Sequence, residues 1–142
     1  MSTFIYREDG KKLSSYRSTM SSRLTDHFTK EEFDCKCGCG NGDIVISQEL
    51  VSGLECVRVL LKKAMRITSG IRCLKHNRSI GSRDTSSHVK GIAADIHCTD
   101  MSTRLELIKC ILQDGKIKRI GINKDFIHVD VDSDKPSGIF TY

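Results

Sequence analysis

The stretch that decides the fold is FIHVDVD, residues 126–132, where apolar and polar residues alternate strictly from Ile127 onward. In an extended chain successive side chains point to opposite faces. The isoleucine and the two valines therefore share one face, while His128 and Asp130 lie on the other. Such alternation predicts a β-strand that buries one face against a core and turns the other toward a cleft.

A second alternating stretch, IAADIHC, occupies residues 92–98. Its parity places Asp95 on the face opposite the isoleucines. If the two strands are neighbours, Asp95 faces the same cleft as His128. His88 precedes this strand and would reach into the cleft from its loop, and Gly91 allows the backbone to turn closely between the two side chains.

The remaining pattern favours helices followed by short strands, without regular βαβ alternation. Thr29 and Glu32 match a capping box, and Ser47 can cap a longer helix through Lys63. We therefore predict an α+β domain with a small antiparallel sheet packed against helices. The other expected elements are a strand at 65–69, a helix at 74–80, a helix opened by Thr103 and Glu106 and closed by Gly115, and a strand at 117–122.

Length and composition indicate one compact domain. A chain of 142 residues is too short for two ordinary domains. Residues 1–23 are rich in serine and basic residues and are expected to be a weakly ordered basic arm, with the folded domain at 24–142. No transmembrane run is present, and the arm lacks the apolar block of a secretory signal. We expect a protein made in the cytoplasm without a signal peptide.

The charge balance narrows the choice of partners. The chain has 23 Lys and Arg against 18 Asp and Glu, a formal charge of +5. The basic residues are spread out among the acidic ones, and the chain has no Trp and few aromatic residues to stack on bases. We therefore expect no specific nucleic-acid partner. An anionic cell wall or membrane surface would account for the charge equally well.

Seven cysteines, an odd number, argue against a complete disulfide framework. Cys35, Cys37 and Cys39 fall within five residues, so they can bind a metal or form a disulfide with Cys73. Their spacing differs from the paired C-x2-C pattern typical of structural zinc. The favoured interpretation is a tight turn with reduced thiols.

Two histidines and one carboxylate are the ligand types that leave a zinc ion one open coordination position, as catalytic sites require. His88, Asp95 and His128 are therefore the candidate metal ligands. The alternative is that each is an ordinary surface or hydrogen-bonded residue. Three other histidines compete for the same role: His27, His76 and His97, the last of which shares a face with Asp95.

A hydrolytic site also needs a general base and a cation. Asp125, three residues before His128, is the candidate base. Asp130 shares a face with His128 and could orient it or replace Asp125. Arg72 is the candidate cation for a substrate carboxylate or a developing oxyanion, because its planar fork suits bidentate contact. An ordinary surface ion pair is the alternative for Arg72.

Several motifs together resemble the zinc D-Ala-D-Ala carboxypeptidase family, which includes bacterial cell-wall peptidases and phage endolysins. The family shares its fold with the hedgehog signalling domain. The resemblance covers residues 24–132. Its pieces are SGIRC at 69–73, HNR at 76–78, SHVKGIAAD at 87–95, FIHVD at 126–130, and the LTDHFTKEEF segment at 24–33 with the Cys-x-Cys-Gly-Cys turn that follows.

The resemblance implies a hedgehog-like fold and a Zn2+ ion held by His88, Asp95 and His128. It implies that Asp125 is the catalytic acidic residue, although many relatives carry Glu there. Arg72 matches the arginine that holds substrate carboxylate or stabilises the tetrahedral intermediate. We assign Arg72 and Ser87 to substrate binding. The tail after Asp132 matches no substrate-binding feature.

The resulting expectation is a zinc metallopeptidase domain that hydrolyses an amide bond in the stem peptides of peptidoglycan. The basic charge and missing signal favour a phage-type lysin acting on the cell wall, and an intracellular dipeptidase would also lack a signal. The alternative is a non-enzymatic, zinc-containing binding module or virion structural module of the same fold. The sequence leaves open which bond is cut, carboxypeptidase or endopeptidase action, and the oligomeric state.

Overall fold

The computed structural model describes residues 22–142. The expected basic arm at 1–23 therefore lies almost entirely outside the described residues. Within them, no helix is both long enough and apolar enough to cross a membrane. The helices are α1 (Gln48–Leu61), α2 (Leu74–Ser79) and α3 (Met101–Asp114), with 3-10 helices at Lys30–Phe33 and Ser87–Lys90, and the strands are β1 (Ile67–Ser69), β2 (Ala93–His97), β3 (Arg119–Ile122), β4 (Phe126–Asp130) and β5 (Gly138–Thr141).

The strands form one sheet in the order β1-β2-β4-β3-β5. The predicted α+β class is confirmed, and the first four strands pair antiparallel as expected. The fifth strand, which the sequence analysis did not identify, pairs parallel with β3 and makes the sheet mixed. Residues 131–137 reverse the direction of the chain after β4. Strand β5 therefore runs opposite to β4 and in the same direction as β3, and it pairs with the free edge of β3.

The helices begin where capping side chains satisfy free backbone N–H groups. The Glu32 carboxylate accepts a hydrogen bond from the Thr29 backbone N–H at 2.7 Å, and the Ser47 hydroxyl accepts one from Leu50 N at 3.2 Å. Both starts agree with the prediction. Helix α3 starts earlier than Thr103, because Asp100 caps it and accepts from the Thr103 N–H at 2.9 Å.

The core lies between the sheet and helices α1 and α3. The predicted apolar face of α1 is buried as expected. Residues Ile96 of β2 and Ile127 and Val129 of β4 fill the same core from the sheet side, each at most 1% exposed. The core members on α1 are Leu50, Val51, Leu54, Val57 and Leu61.

The register between β2 and β4 decides what the other face of the sheet presents. Asp95 lies directly opposite His128, and Ile96 lies opposite Ile127. Because side chains alternate along both strands, this register buries the isoleucines in the core and brings Asp95 and His128 together on the outer face. The neighbourhood expected from strand parity is therefore present.

Candidate active site

Three buried side chains converge on the outer face of the sheet. His88 leaves the 3-10 helix that precedes β2, and Asp95 and His128 stand opposite each other on β2 and β4. The Asp95 Oδ1 atom lies 3.2 Å from His88 Nε2 and 2.9 Å from His128 Nδ1. One ligand atom from each residue lies within 4.8 Å of the other two. We call these three residues the triad.

The far nitrogen of each imidazole is held by an acceptor outside the triad. His88 Nδ1 lies 2.7 Å from the carbonyl oxygen of Gly70, and His128 Nε2 lies 2.7 Å from Asp130 Oδ2. A carbonyl or an ionised carboxylate can only accept, so both of these nitrogens carry hydrogen. In the neutral imidazoles, His88 Nε2 and His128 Nδ1 are then left with lone pairs.

This donor set fits a divalent metal ion. Two nitrogen lone pairs and a carboxylate oxygen point toward one another, an arrangement that is repulsive unless a proton or a cation lies among them. Two imidazoles and one carboxylate form a common ligand set for catalytic zinc. Hydrogen bonds from ligating histidines to a carbonyl or carboxylate are also the usual outer support of such sites.

The pKa values of Asp95 and His128 are both shifted so that the charged form of each side chain is favoured. Burial would raise the pKa of Asp95, but hydrogen bonds from His128 and His88 lower it to about 2. Burial would lower the pKa of His128, but its bonds to Asp130 and Asp95 raise it above the ordinary value of 6.5. Asp95 is therefore a carboxylate at neutral pH, and in the absence of metal a proton on His128 would compensate its charge.

Arg72 lies beside the triad and is 8% exposed. Its Nη2 atom is 3.7 Å from Asp95 Oδ2. Its Nε donates to the Ser69 hydroxyl at 3.3 Å and its Nη1 donates to Asn77 Oδ1 at 2.9 Å. These two bonds fix the guanidinium plane and use two of its five N–H groups.

A cavity of about 930 Å³ opens above the triad. Arg72 lines it, as do other cationic side chains from several segments, among them Lys36 and Arg83. The acidic residues on its wall, Asp95 and Asp130, are engaged by imidazoles and guanidinium groups. The open part of the cavity is therefore basic and suits an anionic ligand.

Asp125 and Asp130, the two candidate bases, lie in different settings. Asp125 is exposed in the turn before β4 and does not line the cavity. Its strand parity is opposite to that of His128. Asp130 is 1% exposed and accepts from His128 and from Arg119 Nε at 2.9 Å. Asp130 therefore orients His128, and the role of Asp125 as base stays a prediction.

Ser87 lines the cavity but is held by neighbours. Its hydroxyl donates to Asp132 Oδ2 at 2.7 Å and accepts from Lys135 Nζ at 3.1 Å. Its assignment to substrate binding stays a prediction. Of the competing histidines, His76 lines the cavity wall without joining the triad, while His27 pairs with Glu55 and His97 is exposed at the end of β2.

Strand β5, which the sequence pattern did not predict, also contributes to this site. The Phe140 ring lies 5.6 Å from the His128 ring, and Tyr142 lies 6.4 Å from it. A Cβ atom at Gly121 would come within 2.6 Å of the Phe140 ring, so only glycine lets this ring approach. The β-branched and aromatic residues in GIFTY at 138–142, which follow the turn-forming DSDKPS at 132–137, are the signal that would have indicated a strand.

The part of the chain that contains these residues matches a protein-family model. The family model described as peptidase M15 matches residues 26–130, a span that contains Arg72 and the whole triad. The match covers well over half of the chain. No curated protein matches the chain.

Replacing Asp130 tests the outer support of the triad. In Asp130→Ala, His128 Nε2 loses its acceptor while all three triad residues remain. We expect zinc affinity, measured by competition with a chelator, to fall about 10–100-fold. The control is Asp134→Ala, which removes an exposed carboxylate that pairs with Lys90 instead. Equal zinc affinity in Asp130→Ala and the wild type would contradict the orienting role.

The raised pKa of His128 predicts a pH dependence in the metal-stripped protein. Because the folded protein binds this proton more tightly than the unfolded chain does, protonated His128 stabilises the fold. This stabilisation is fully present below pH 6.5, the ordinary pKa of histidine, and is lost as the pH rises through the higher pKa of the folded state. We expect the free energy of unfolding, from urea titrations, to fall over this window in the stripped protein.

Saturating zinc should abolish this fall, because the metal takes the place of the proton. His128→Asn should flatten the profile of the stripped protein, whereas His97→Asn, at an exposed position, should not. The same fall in His128→Asn as in the wild type would show that another group is responsible.

Proposed function

The chain belongs to the peptidase M15 family, whose members are metal-dependent peptidases, and from that premise we propose a zinc-dependent peptidase that hydrolyses an amide bond in peptidoglycan stem peptides. The observation that carries the proposal is the convergence of His88, Asp95 and His128 at the floor of a basic cavity. A buried triad with two oriented imidazoles is the arrangement that a hydrolytic zinc ion needs.

The basic cavity supports the choice of substrate. Stem peptides carry free carboxylates, and the cavity wall includes cationic side chains outside the triad that can pair with them. Arg72 is held rigidly by Ser69 and Asn77, so its remaining N–H groups are preorganised for a carboxylate or a developing oxyanion. The formal charge of +5 would also favour approach to an anionic cell wall.

The residues divide the work of amide hydrolysis as follows. His88, Asp95 and His128 would hold the metal, which when bound supplies Lewis acidity toward water and the scissile carbonyl. Asp130 keeps His128 in the ligating tautomer. Arg72 binds the substrate carboxylate or the oxyanion. Asp125 takes the proton from the attacking water and returns it to the leaving amine.

A second candidate function is a non-enzymatic, zinc-containing binding module or virion structural module. The observation that favours it is the position of Asp125, which is exposed and outside the cavity wall. A binding module would need neither this carboxylate nor turnover. For an enzyme, Asp125 must move toward the triad when substrate binds, because a base acts within hydrogen-bonding distance of its proton.

The decisive experiment measures peptide-bond cleavage in purified peptidoglycan by mass spectrometry. We expect the zinc-loaded protein to release stem-peptide fragments, a chelator to stop release, and added zinc to restore it. Asp125→Ala should lower kcat about 10²–10⁴-fold while zinc content is unchanged. Asp134→Ala is the matched control for loss of an exposed carboxylate and should retain full activity.

Two outcomes would count against parts of this proposal. Unchanged turnover in Asp125→Ala would remove Asp125 as the base. A wild-type protein that holds zinc in the triad but cleaves no peptidoglycan, while still binding it, would favour the non-enzymatic module.

Arg72 should determine the preference for substrates with a free carboxylate. With synthetic stem peptides, we expect amidation of that carboxylate to raise KM in the wild type. In Arg72→Lys the bidentate contact is lost, so kcat/KM for the free acid should fall about 10²-fold and the difference between acid and amide should shrink. An undiminished preference for the acid in Arg72→Lys would contradict this role.

A further inference from the structure

Four thiols form a second cluster outside the triad. Cys35, Cys37 and Cys39 come from the turn after the first 3-10 helix, and Cys73 comes from the start of α2, far away in sequence. Their Sγ atoms all lie within 4.8 Å of one another. Cys37 Sγ lies 3.4 Å from Cys35 Sγ and 3.6 Å from Cys73 Sγ.

We propose that Cys35, Cys37, Cys39 and Cys73 hold a structural zinc ion as a tetrathiolate site, separate from the triad. Zinc–sulfur bonds of about 2.3 Å in a tetrahedron place neighbouring sulfurs about 3.8 Å apart. The sulfur distances of 3.4 and 3.6 Å are close to this value. Four sulfur ligands in a closed tetrahedron are typical of structural rather than catalytic zinc.

The backbone turn that carries Cys35, Cys37 and Cys39 directs their side chains toward one point. Gly38 has φ +78° and Gly40 has φ +77°, a left-handed conformation that glycine adopts without strain. These glycines reverse the chain around the thiols. Asn41 is buried and closes the turn, since its side-chain oxygen accepts from the Cys35 N–H at 2.7 Å and its amide donates to Asp34 at 2.8 Å.

Backbone N–H groups also point at the sulfurs. The Cys73 N–H donates to Cys35 Sγ at 3.4 Å, and the His76 N–H donates to Cys73 Sγ at 3.3 Å. Such bonds favour thiolates, the form that ligates metal.

A disulfide explains the cluster less completely. A disulfide joins two sulfurs at about 2.05 Å, whereas the four cysteines are free with sulfur separations of 3.4 and 3.6 Å, and no single disulfide engages all four. One zinc ion engages all four. It would also join the turn that carries Lys36 to the segment that carries Arg72, and both of these cations line the active-site cavity.

The site would reinforce a contact that already exists between these two segments. The Ile71 N–H donates to the Phe33 carbonyl at 2.7 Å, and a Cβ at Gly70 would come within 2.7 Å of the Phe33 backbone. Zinc bound by thiols from both sides would stabilise this close approach, because metal binding adds its free energy to that of the folded state.

The test counts metal ions on the full chain, purified without chelators, by native mass spectrometry and elemental analysis. We expect two zinc ions per wild-type chain and one in His88→Ala, in which the thiol cluster is intact. Cys39→Ser, at an exposed position, should lose the other ion. Cys56→Ser is the matched control outside the cluster and should keep both.

Cobalt substitution identifies the ligands of each ion. We expect His88→Ala loaded with cobalt to show strong sulfur-to-cobalt charge-transfer absorption, and Cys39→Ser to lose most of it. The wild type carrying at most one zinc ion, lost in His88→Ala, would overturn the proposal. So would a native disulfide between two of the four cysteines, or iron in place of zinc. These experiments measure metal content and ligand type and do not measure peptidase activity. The thiol site can therefore be tested independently of the proposed function.

Discussion

The register between β2 and β4 is the constraint on which the rest of the site depends. Asp95 faces His128 across this pair, and the same register sends Ile96 and Ile127 into the core. A slip by one residue would turn the isoleucines to the outer face and place the Asp95 carboxylate in the hydrophobic core. The hydrophobic core therefore enforces the geometry of the triad, and the two cannot be changed independently.

The segment at residues 69–73 connects three features of the molecule. The Gly70 carbonyl holds His88, Arg72 reaches Asp95 and lines the cavity, and Cys73 belongs to the thiol cluster. Gly70 also lies against the Phe33 backbone, where a side chain would not fit. A substitution in this segment would therefore affect the triad, the cavity wall and the thiol cluster together.

Asp130 in β4 and Asp125 in the preceding turn differ in burial, and this difference limits what each carboxylate can do. Asp130 is enclosed by His128 and Arg119, so its carboxylate is fully committed to hydrogen bonds. A committed carboxylate orients a ligand well and accepts protons poorly. Asp125 is exposed and does not line the cavity, so its role in proton transfer stays a proposal. Motif spacing alone does not distinguish these two settings, because it contains no information on burial.

Much of this protein follows from its sequence alone. Strand parity in FIHVDVD and IAADIHC was enough to place Asp95 and His128 on a common face, because alternation is a local property of extended chains. The capping residues Thr29 and Ser47 likewise marked helix starts through contacts within a few positions. The α+β class follows from the same local patterns.

Only the tertiary structure decided the features that depend on long-range packing. The pairing of β5 with β3, and with it Phe140 beside His128, depends on where the turn at 132–137 directs the chain, which the turn-forming residues alone do not specify. Cys73 joins three thiols far from it in sequence because Gly70 fits against Phe33, a contact set by the shape of both segments. Local periodicity reports which way a side chain points, whereas its partners are chosen by how distant segments pack together.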